Sequence, residues 1–187
     1  NGLYPGAGSA FIELKVQPVL GSIPEVQEWA SICTAGGHRM PAAIHVDTGM
    51  NRLGLGLREL PDLLSRQAFD SFDISLIMSH LASADSPGSG MNAGQRQQFD
   101  TARAMFPSVR ASLANSAAMM LGPAFHYDLV RPGIAVYGGR ALVGVQNPMK
   151  HVVRLLARIV QIRDVAPGES VGDRKSTRLN SSHRSQS

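Results

Sequence analysis

Apolar and polar positions along the chain follow two periodicities, one typical of helices and one typical of buried strands. The helical spacing covers residues 24–35, 59–69, 92–106 and the short segment 117–121. Apolar runs between and after these segments predict strands at 42–47, 73–80, 110–115 and 127–138. Helices that alternate with strands predict an α/β protein with a parallel sheet and right-handed crossovers.

Each helical segment has one apolar face, and residues typical of helix ends flank the segments and support the helix prediction. Pro24 stands near the start of the first helix and two glycines follow its end. Asn92 is the N-cap candidate of the third helix. The residues expected to face the core are, in the first helix, Val26, Trp29, Ala30 and Cys33 and, in the third, Phe99, Ala102 and Phe106.

The predicted strands end at regular intervals. Asp47, His80 and Asn115 are 33 and 35 residues apart, about the length of one βαβ unit. This regularity favours a (β/α)8 barrel, the TIM barrel, over an irregular doubly wound sheet. A complete barrel needs about 250 residues, so residues 1–140 are expected to form part of one, with its later strands.

The pattern changes after the predicted barrel. Residues 151–165 form a long segment that is rich in β-branched residues and has apolar side chains at both odd and even positions. A turn, APGES, follows it. We interpret this segment as a strand in residues 141–172, which would begin a C-terminal β domain. A buried helix is the competing interpretation, because periodicity alone does not separate the two.

The charge of +4 is concentrated in the last residues. The segment 174–187 carries four cations and no acids, and without them 14 basic residues remain against 14 acidic ones. Residues 173–187 are rich in Ser and Arg and predict a disordered tail that resembles an adapter or cloning sequence; a native basic arm is the alternative. A neutral body argues against nucleic-acid binding.

The rest of the composition limits where the protein is expected to be located and which kinds of site it is expected to have. No apolar run reaches about 18 residues, so no membrane span is expected, and no signal peptide is expected at the N-terminus. The single cysteine, Cys33, is expected to be a buried structural thiol in a reducing cytoplasm. The histidines lack the spacing of metal ligands, so no metal site is expected.

Polar residues stand at the end of every predicted strand. In parallel barrels the chemistry sits at these carboxyl ends, and a hydroxyl beside a Gly backbone amide is typical of a phosphate site. Each residue also has a structural interpretation: a solvated loop for Arg52, a strand-end histidine for His80, a helix cap for Ser116 and pairing with Asp128 for Arg131. The candidate binding residues are Arg52, His80, Asn115, Ser116, Arg131, Gly133 and Ile134.

Four motifs in this order, VDTGMNRLGL, SHLASAD, LANSAAM and LVRPGIAVYG, resemble bacterial alanine racemase, and RIVQIRDVAPGESVG resembles the start of its C-terminal β domain. The resemblance covers residues 1–172. It implies pyridoxal 5′-phosphate as cofactor, alanine as substrate, a head-to-tail homodimer of the intact enzyme, and D-alanine supply for peptidoglycan.

The resemblance also implies roles for single residues. Arg131 matches the arginine that bonds the cofactor's pyridine nitrogen and keeps it unprotonated, and His80 matches the histidine linked to that arginine. Ser116, with the backbone of Gly133 and Ile134, matches the phosphate cup. Arg52 matches the arginine that contacts the cofactor's phenolic oxygen and the substrate carboxylate.

Three departures from the family pattern limit what this chain can do. This chain has His45 where many relatives carry a lysine. In those relatives the lysine orients the arginine that Arg52 matches. The Schiff-base lysine is expected upstream of Asn1, and the tyrosine base is expected in the β domain across the dimer. Without both bases this polypeptide is expected to be inactive alone. The alternatives are another racemase or decarboxylase of this fold, and a non-catalytic pyridoxal-phosphate-binding protein.

Overall fold

A parallel sheet with helices in its crossovers forms the framework in the computed structural model, which describes residues 2–169. The strands are β1 (Val19–Leu20), β2 (Pro41–Asp47), β3 (Leu55–Gly56), β4 (Asp73–Met78) and β5 (Ala111–Ser112). The α-helices are α1 (Gly8–Glu13), α2 (Ile23–Gly36), α3 (Leu60–Ser65), α4 (Gly90–Ala104) and α5 (Ala118–Leu121), and 3-10 helices span Pro123–Phe125 and Ile134–Tyr137.

The sheet pairs strands that follow one another closely along the chain. The strand order is β1, β2, β4, β5, every pairing is parallel, and the short β3 pairs with the end of β2. Ile44 lies opposite Ile77 and His45 opposite Met78. Because side chains alternate between the faces of a strand, Ile44 and Ile77 point to one face and His45 and Met78 to the other.

The helices cover the face of the sheet that carries Ile44 and Ile77. From α2, Val26 and Trp29 are fully buried, and from α4 Phe99 is fully buried. Ser22 caps α2 by accepting the N–H of Glu25, and Gly37 ends that helix in the left-handed conformation. The apolar stripes predicted from sequence are therefore the surfaces that join helices to sheet.

The start of α4 differs from the prediction. The helix begins at Gly90 after Ser89, so Asn92 is not its N-cap. Asn92 is buried inside the first turn, and its Nδ2 donates to the carbonyl oxygen of Ser86 at 3.1 Å. An amide that bonds the preceding loop from inside the helix stabilises the same junction that an N-cap would stabilise.

The strand predicted at 127–138 does not form. The Asp128 and Arg131 N–H groups donate to the carbonyl oxygens of Ala111 and Ala114 at 3.0 and 2.9 Å, so the segment runs beside the end of β5. Pro132 has no N–H to continue such a ladder. Tyr127 has a φ of 50°, and a 3-10 helix begins at Ile134.

Residues 151–165 form neither the predicted strand nor the competing helix. A strand needs a partner strand for its N–H and C=O groups, and none of the strand pairings described for residues 2–169 includes this segment. Leu155 and Val160 are 95% and 97% exposed. The chain divides into two units at Val153; the tail predicted at 173–187 lies outside the described residues.

Candidate functional site

A cleft of about 400 Å³ opens beyond the carboxyl ends of β4 and β5. Six of the seven predicted binding residues line it: His80, Asn115, Ser116, Arg131, Gly133 and Ile134. Met50, Asp85 and Arg140 are among its other lining residues. A sheet with parallel strands brings residues distant in sequence to one edge, which is why these strand-end residues meet.

Arg131 is held at the base of the cleft by two fixed acceptors. Its guanidinium donates to the carbonyl oxygen of Ser79, at the end of β4, and to the hydroxyl of Ser112, in β5. Burial lowers the pKa of Arg131 to about 10, so the group remains a cation at neutral pH. The predicted alternative, pairing with Asp128, is wrong, because that carboxylate accepts the Ala111 N–H instead.

Ser116 organises the chain that follows Arg131. Its Oγ accepts the backbone N–H groups of Gly133 and Ala135, at 2.7 and 3.2 Å. A hydroxyl that accepts two bonds still has its own proton to donate. The serine side chain is almost fully buried, yet it lines the cleft, so that proton can serve a ligand there.

Ser116 does not cap the short helix α5, and the side chain that bonds its first residue is that of Asn115. Its Oδ1 accepts the Ala118 N–H at 3.0 Å, and its Nδ2 donates to the Leu81 carbonyl oxygen at 3.3 Å. The same Nδ2 lies 3.4 Å from Nε2 of His80. Asn115 therefore ties the loop after β4 to the loop after β5, and the structural interpretation offered for Ser116 is wrong.

Two histidines face the same side of the sheet as Arg131. Burial, Arg131 and Arg52 lower the pKa of His80, in that order. Burial, Arg131, His80 and Arg52 lower the pKa of His45, while Asp47 opposes them. No hydrogen bond joins His80 to Arg131 within the described part of the chain, so the link expected between them is electrostatic here. The lowered pKa values leave both imidazoles mainly neutral at pH 7, first because burial disfavours the protonated form and second because nearby cations repel it.

Asp47 organises the loop that carries Arg52. Its Oδ1 accepts three successive backbone N–H groups, those of Gly49, Met50 and Asn51, at 2.9, 3.0 and 3.1 Å. A carboxylate that accepts three N–H groups stabilises a tight turn from within the turn itself.

The same loop closes on the strand from which it starts. Leu55 and Gly56, which form β3, pair with Val46 and Asp47 at the end of β2. A Cβ on Gly54 would lie 2.5 Å from the Asp47 nitrogen, and its φ is +115°. Only glycine permits this close approach, so the glycine-rich sequence reflects how the loop is closed.

Arg52 is the predicted site residue that does not line the cleft. Its side chain is exposed at the end of the Asp47 turn. Its charge nevertheless lowers the pKa of His45 and His80. The structure thus places Arg52 beside the histidines but leaves its contact with a ligand as a prediction.

Sequence reasoning missed the buried polar network beneath the cleft. Thr48 and Ser79 share a hydroxyl bond of 2.7 Å, and Nε2 of Gln95 lies 3.3 Å from the Thr48 hydroxyl. Gln95 falls four residues before Phe99, on the apolar stripe of α4. A polar residue on such a stripe is the signal that indicates a specific buried partner.

Within residues 2–169, no group of three His, Cys, Asp or Glu side chains has the geometry to hold a metal ion. No helix in that range has the length and apolar character that crossing a membrane requires.

Residues 1–141 match the family model described as the N-terminal domain of alanine racemase. The chain is 48% identical over 172 residues to the alanine racemase of Methylobacterium nodulans, covering 92% of this chain and 46% of that protein. It is 46% identical over 173 residues to the alanine racemase of Rhodospirillum rubrum, with the same coverage. The chain therefore spans about half the length of the curated relatives it matches.

Solved structures agree with these relatives. The alanine racemase of Bartonella henselae, with covalently bound pyridoxal phosphate, superimposes with a TM-score of 0.76 at 35% identity, covering 81% of this chain and 44% of that one. The enzyme of Acinetobacter baumannii also gives a TM-score of 0.76, at 26% identity, covering 92% and 49%. The family and the partial barrel predicted from sequence are confirmed.

Proposed function

Because this chain belongs to the family of alanine racemase N-terminal domains, we propose that it is the later part of the barrel of an alanine racemase that depends on pyridoxal 5′-phosphate. The whole enzyme would interconvert L-alanine and D-alanine in the cytoplasm, for peptidoglycan synthesis. The cleft that joins Arg131 to Ser116 and the Gly133 backbone carries the proposal.

The residues of the cleft fit the two ends of this cofactor. At one end, the Ser116 hydroxyl keeps its own proton to donate to a phosphate, and Arg140 adds a cation to the lining. At the other end, Arg131 uses one N–H for Ser79 and one for Ser112. Its remaining N–H groups suit an acceptor such as an unprotonated pyridine nitrogen.

When bound, pyridoxal 5′-phosphate supplies a ring that withdraws electrons from the α-carbon of an amino acid, so that its proton can leave. Arg131 binds and orients the ring side of the site, and because its pKa of about 10 keeps it charged, it does not pass a proton onward. Ser116 holds the phosphate side. Arg52, on its closed loop, would hold the substrate carboxylate beside the neutral His45 and His80.

Racemization needs one base on each face of the α-carbon. We propose that both bases, a lysine and a tyrosine, come from parts of the enzyme outside this chain, the tyrosine from the second subunit of a homodimer. Residues 1–140 would be the cofactor-binding part and residues 141–172 the start of the β domain. The chain by itself is then inactive.

The test is a chimera in which residues 2–169 replace the aligned stretch of the Rhodospirillum rubrum enzyme. We expect the chimera to bind pyridoxal 5′-phosphate, seen by absorbance, and to racemize alanine, seen by a coupled D-alanine assay. The isolated chain should show no racemization. A folded chimera that binds no cofactor would contradict the proposed function, and racemization by the isolated chain would contradict the placement of the bases.

Stability of the chimera should fall on acidification. His45 and His80 have lowered pKa values in the folded state, whereas the ordinary value is 6.5. Below pH 6.5 the unfolded chain therefore binds more protons, and stability is lost until the pH passes below the folded values. Urea unfolding at about pH 7.5 and about pH 5.5 measures this slope.

The control for this prediction is the double variant His45→Gln and His80→Gln. It should show a smaller loss of stability between the two pH values than the unmutated chimera. A slope that is the same in both proteins would mean that other groups cause it.

A further inference from the structure

One buried amide outside the cleft touches the loop that carries Arg52 and the loop that carries His80. Gln95 lies in α4 with 2% of its surface exposed. Its Oε1 accepts the Ala82 N–H at 2.8 Å, and its Nε2 donates to the His80 carbonyl oxygen at 3.0 Å. The amide thus holds the backbone on both sides of Leu81, and so fixes the segment that presents the His80 ring.

The same side chain reaches the loop of Arg52. Nε2 of Gln95 is 3.3 Å from the Thr48 hydroxyl, and a Cβ built on Gly49 would lie 3.6 Å from the Gln95 Cγ, ordinary contact distance. Thr48 and Gly49 directly follow Asp47, where the closed loop begins. A shift of the Gln95 side chain would therefore move the start of that loop.

A short path connects Gln95 to the guanidinium of Arg131. Thr48, bonded to Gln95, shares its hydroxyl bond with Ser79, and the Ser79 carbonyl accepts from Arg131. Thr48 and Ser79 are each 1% exposed, so water does not compete for these bonds. Buried polar networks with satisfied partners hold one arrangement and lose it when a member is removed.

We propose that Gln95 is a positioning residue, which sets the relative placement of the Arg52 loop and the His80–Arg131 side of the cleft through bonds to Thr48, His80 and Ala82. It touches no ligand itself. This inference rests on the proposed function, since it assigns Gln95 to the cofactor site of that enzyme.

The test uses Gln95→Leu in the full-length chimera. This variant keeps the volume but leaves the His80 carbonyl and the Ala82 N–H without partners. We expect the dissociation constant of the apo-chimera for pyridoxal 5′-phosphate, from absorbance titration, to rise by about 10-fold to 100-fold, the range seen at metal sites when residues that orient the ligating groups are mutated.

The matched control is Asn92→Leu, which changes another buried amide of α4, three residues earlier; neither Asn92 nor its partner Ser86 lines the cleft. It should destabilise the fold similarly but leave cofactor affinity unchanged. If both leucine variants raise the dissociation constant by the same factor, Gln95 acts only through general stability and the inference is wrong.

Gln95→Glu gives a readout that a purely structural role would not move. A carboxylate still accepts from Ala82 but repels the His80 carbonyl, whereas a protonated carboxyl can donate to it, and burial favours the protonated form. Cofactor affinity of this variant should recover as the pH falls. Absence of such recovery, relative to the unmutated chimera, would overturn the inference even if the leucine variant fails to fold.

The outcomes separate this inference from the proposed function. A chimera without substitutions that folds and binds no cofactor removes the proposed function, and the inference with it. A chimera that binds the cofactor and racemizes alanine, with Gln95 variants no different from Asn92→Leu, leaves the proposed function standing and removes the inference alone.

Discussion

Replacing Arg131 with alanine in the chimera is expected to lower kcat/KM for alanine by about 100-fold to 1000-fold, the effect of losing one preorganised donor at a reacting centre. The guanidinium is fixed by Ser79 and Ser112 before any ligand arrives. Its loss also leaves those acceptors without their partner. Steady-state racemization in both directions, with an absorbance spectrum of the bound cofactor, measures the effect.

Two control variants test whether the loss of activity is specific to the Arg131 guanidinium. Arg131→Lys keeps the charge but cannot span both acceptors with one planar group, so it should recover little of the lost activity. Arg66→Ala removes an arginine whose ion pair with Asp62 is exposed to solvent, and it should change nothing measurable. If Arg131→Ala retained full activity and an unchanged spectrum, the proposed role of the cleft would be wrong.

Replacing Asp47 with alanine should produce the second large effect, seen mainly in KM for alanine. Three N–H groups lose their common acceptor, so the turn before Arg52 loses its conformation. Misplacement of Arg52 by about 1 Å should lower kcat/KM by about 100-fold. Cofactor affinity should change less, because Arg131 keeps its bonds to Ser79 and Ser112, and Ser116 keeps those from Gly133 and Ala135.

Asp47→Asn is the matched control for this change, since its amide oxygen can accept the same three N–H groups without the charge. It should recover most of the activity and raise KM only moderately. An alanine variant with unchanged KM would show that Arg52 does not depend on this turn or does not bind the substrate.

The helices and the sheet were predictable because their signals are local. Val26, Trp29 and Cys33 repeat at helical spacing, and all three are buried in the structure as that spacing predicts. The polar strand ends were predictable for a similar reason, since parallel strands bring their carboxyl ends to one edge. Six candidate residues accordingly line one cleft.

The segment 127–138 shows where local signals fail. Leu129, Val130, Ile134 and Val136 are typical of a strand, but a strand also needs a donor at each ladder position. Pro132 supplies none, and Ser116 takes the Gly133 and Ala135 N–H groups. The competing bonds come from a residue 17 and 19 positions earlier in the sequence, which no local pattern shows.

The buried network around Gln95 was unpredictable in detail. Its position on the apolar stripe of α4 indicates burial, but its partners Thr48, His80 and Ala82 lie up to 47 residues away. The acceptor that the Arg131 guanidinium uses, the backbone carbonyl oxygen of Ser79, was unpredictable for the same reason.

The loop between Val46 and Leu55 has a thermodynamic consequence for ligand recognition. Because the chain leaves β2 and pairs again with the same strand, the loop is short and its two ends are fixed by backbone hydrogen bonds. The conformational entropy of the backbone at Arg52 is thus lost when the protein folds rather than when a ligand binds. An anion that meets this arginine needs to order only the side chain, and binding is weakened less by entropy than it would be on an open loop.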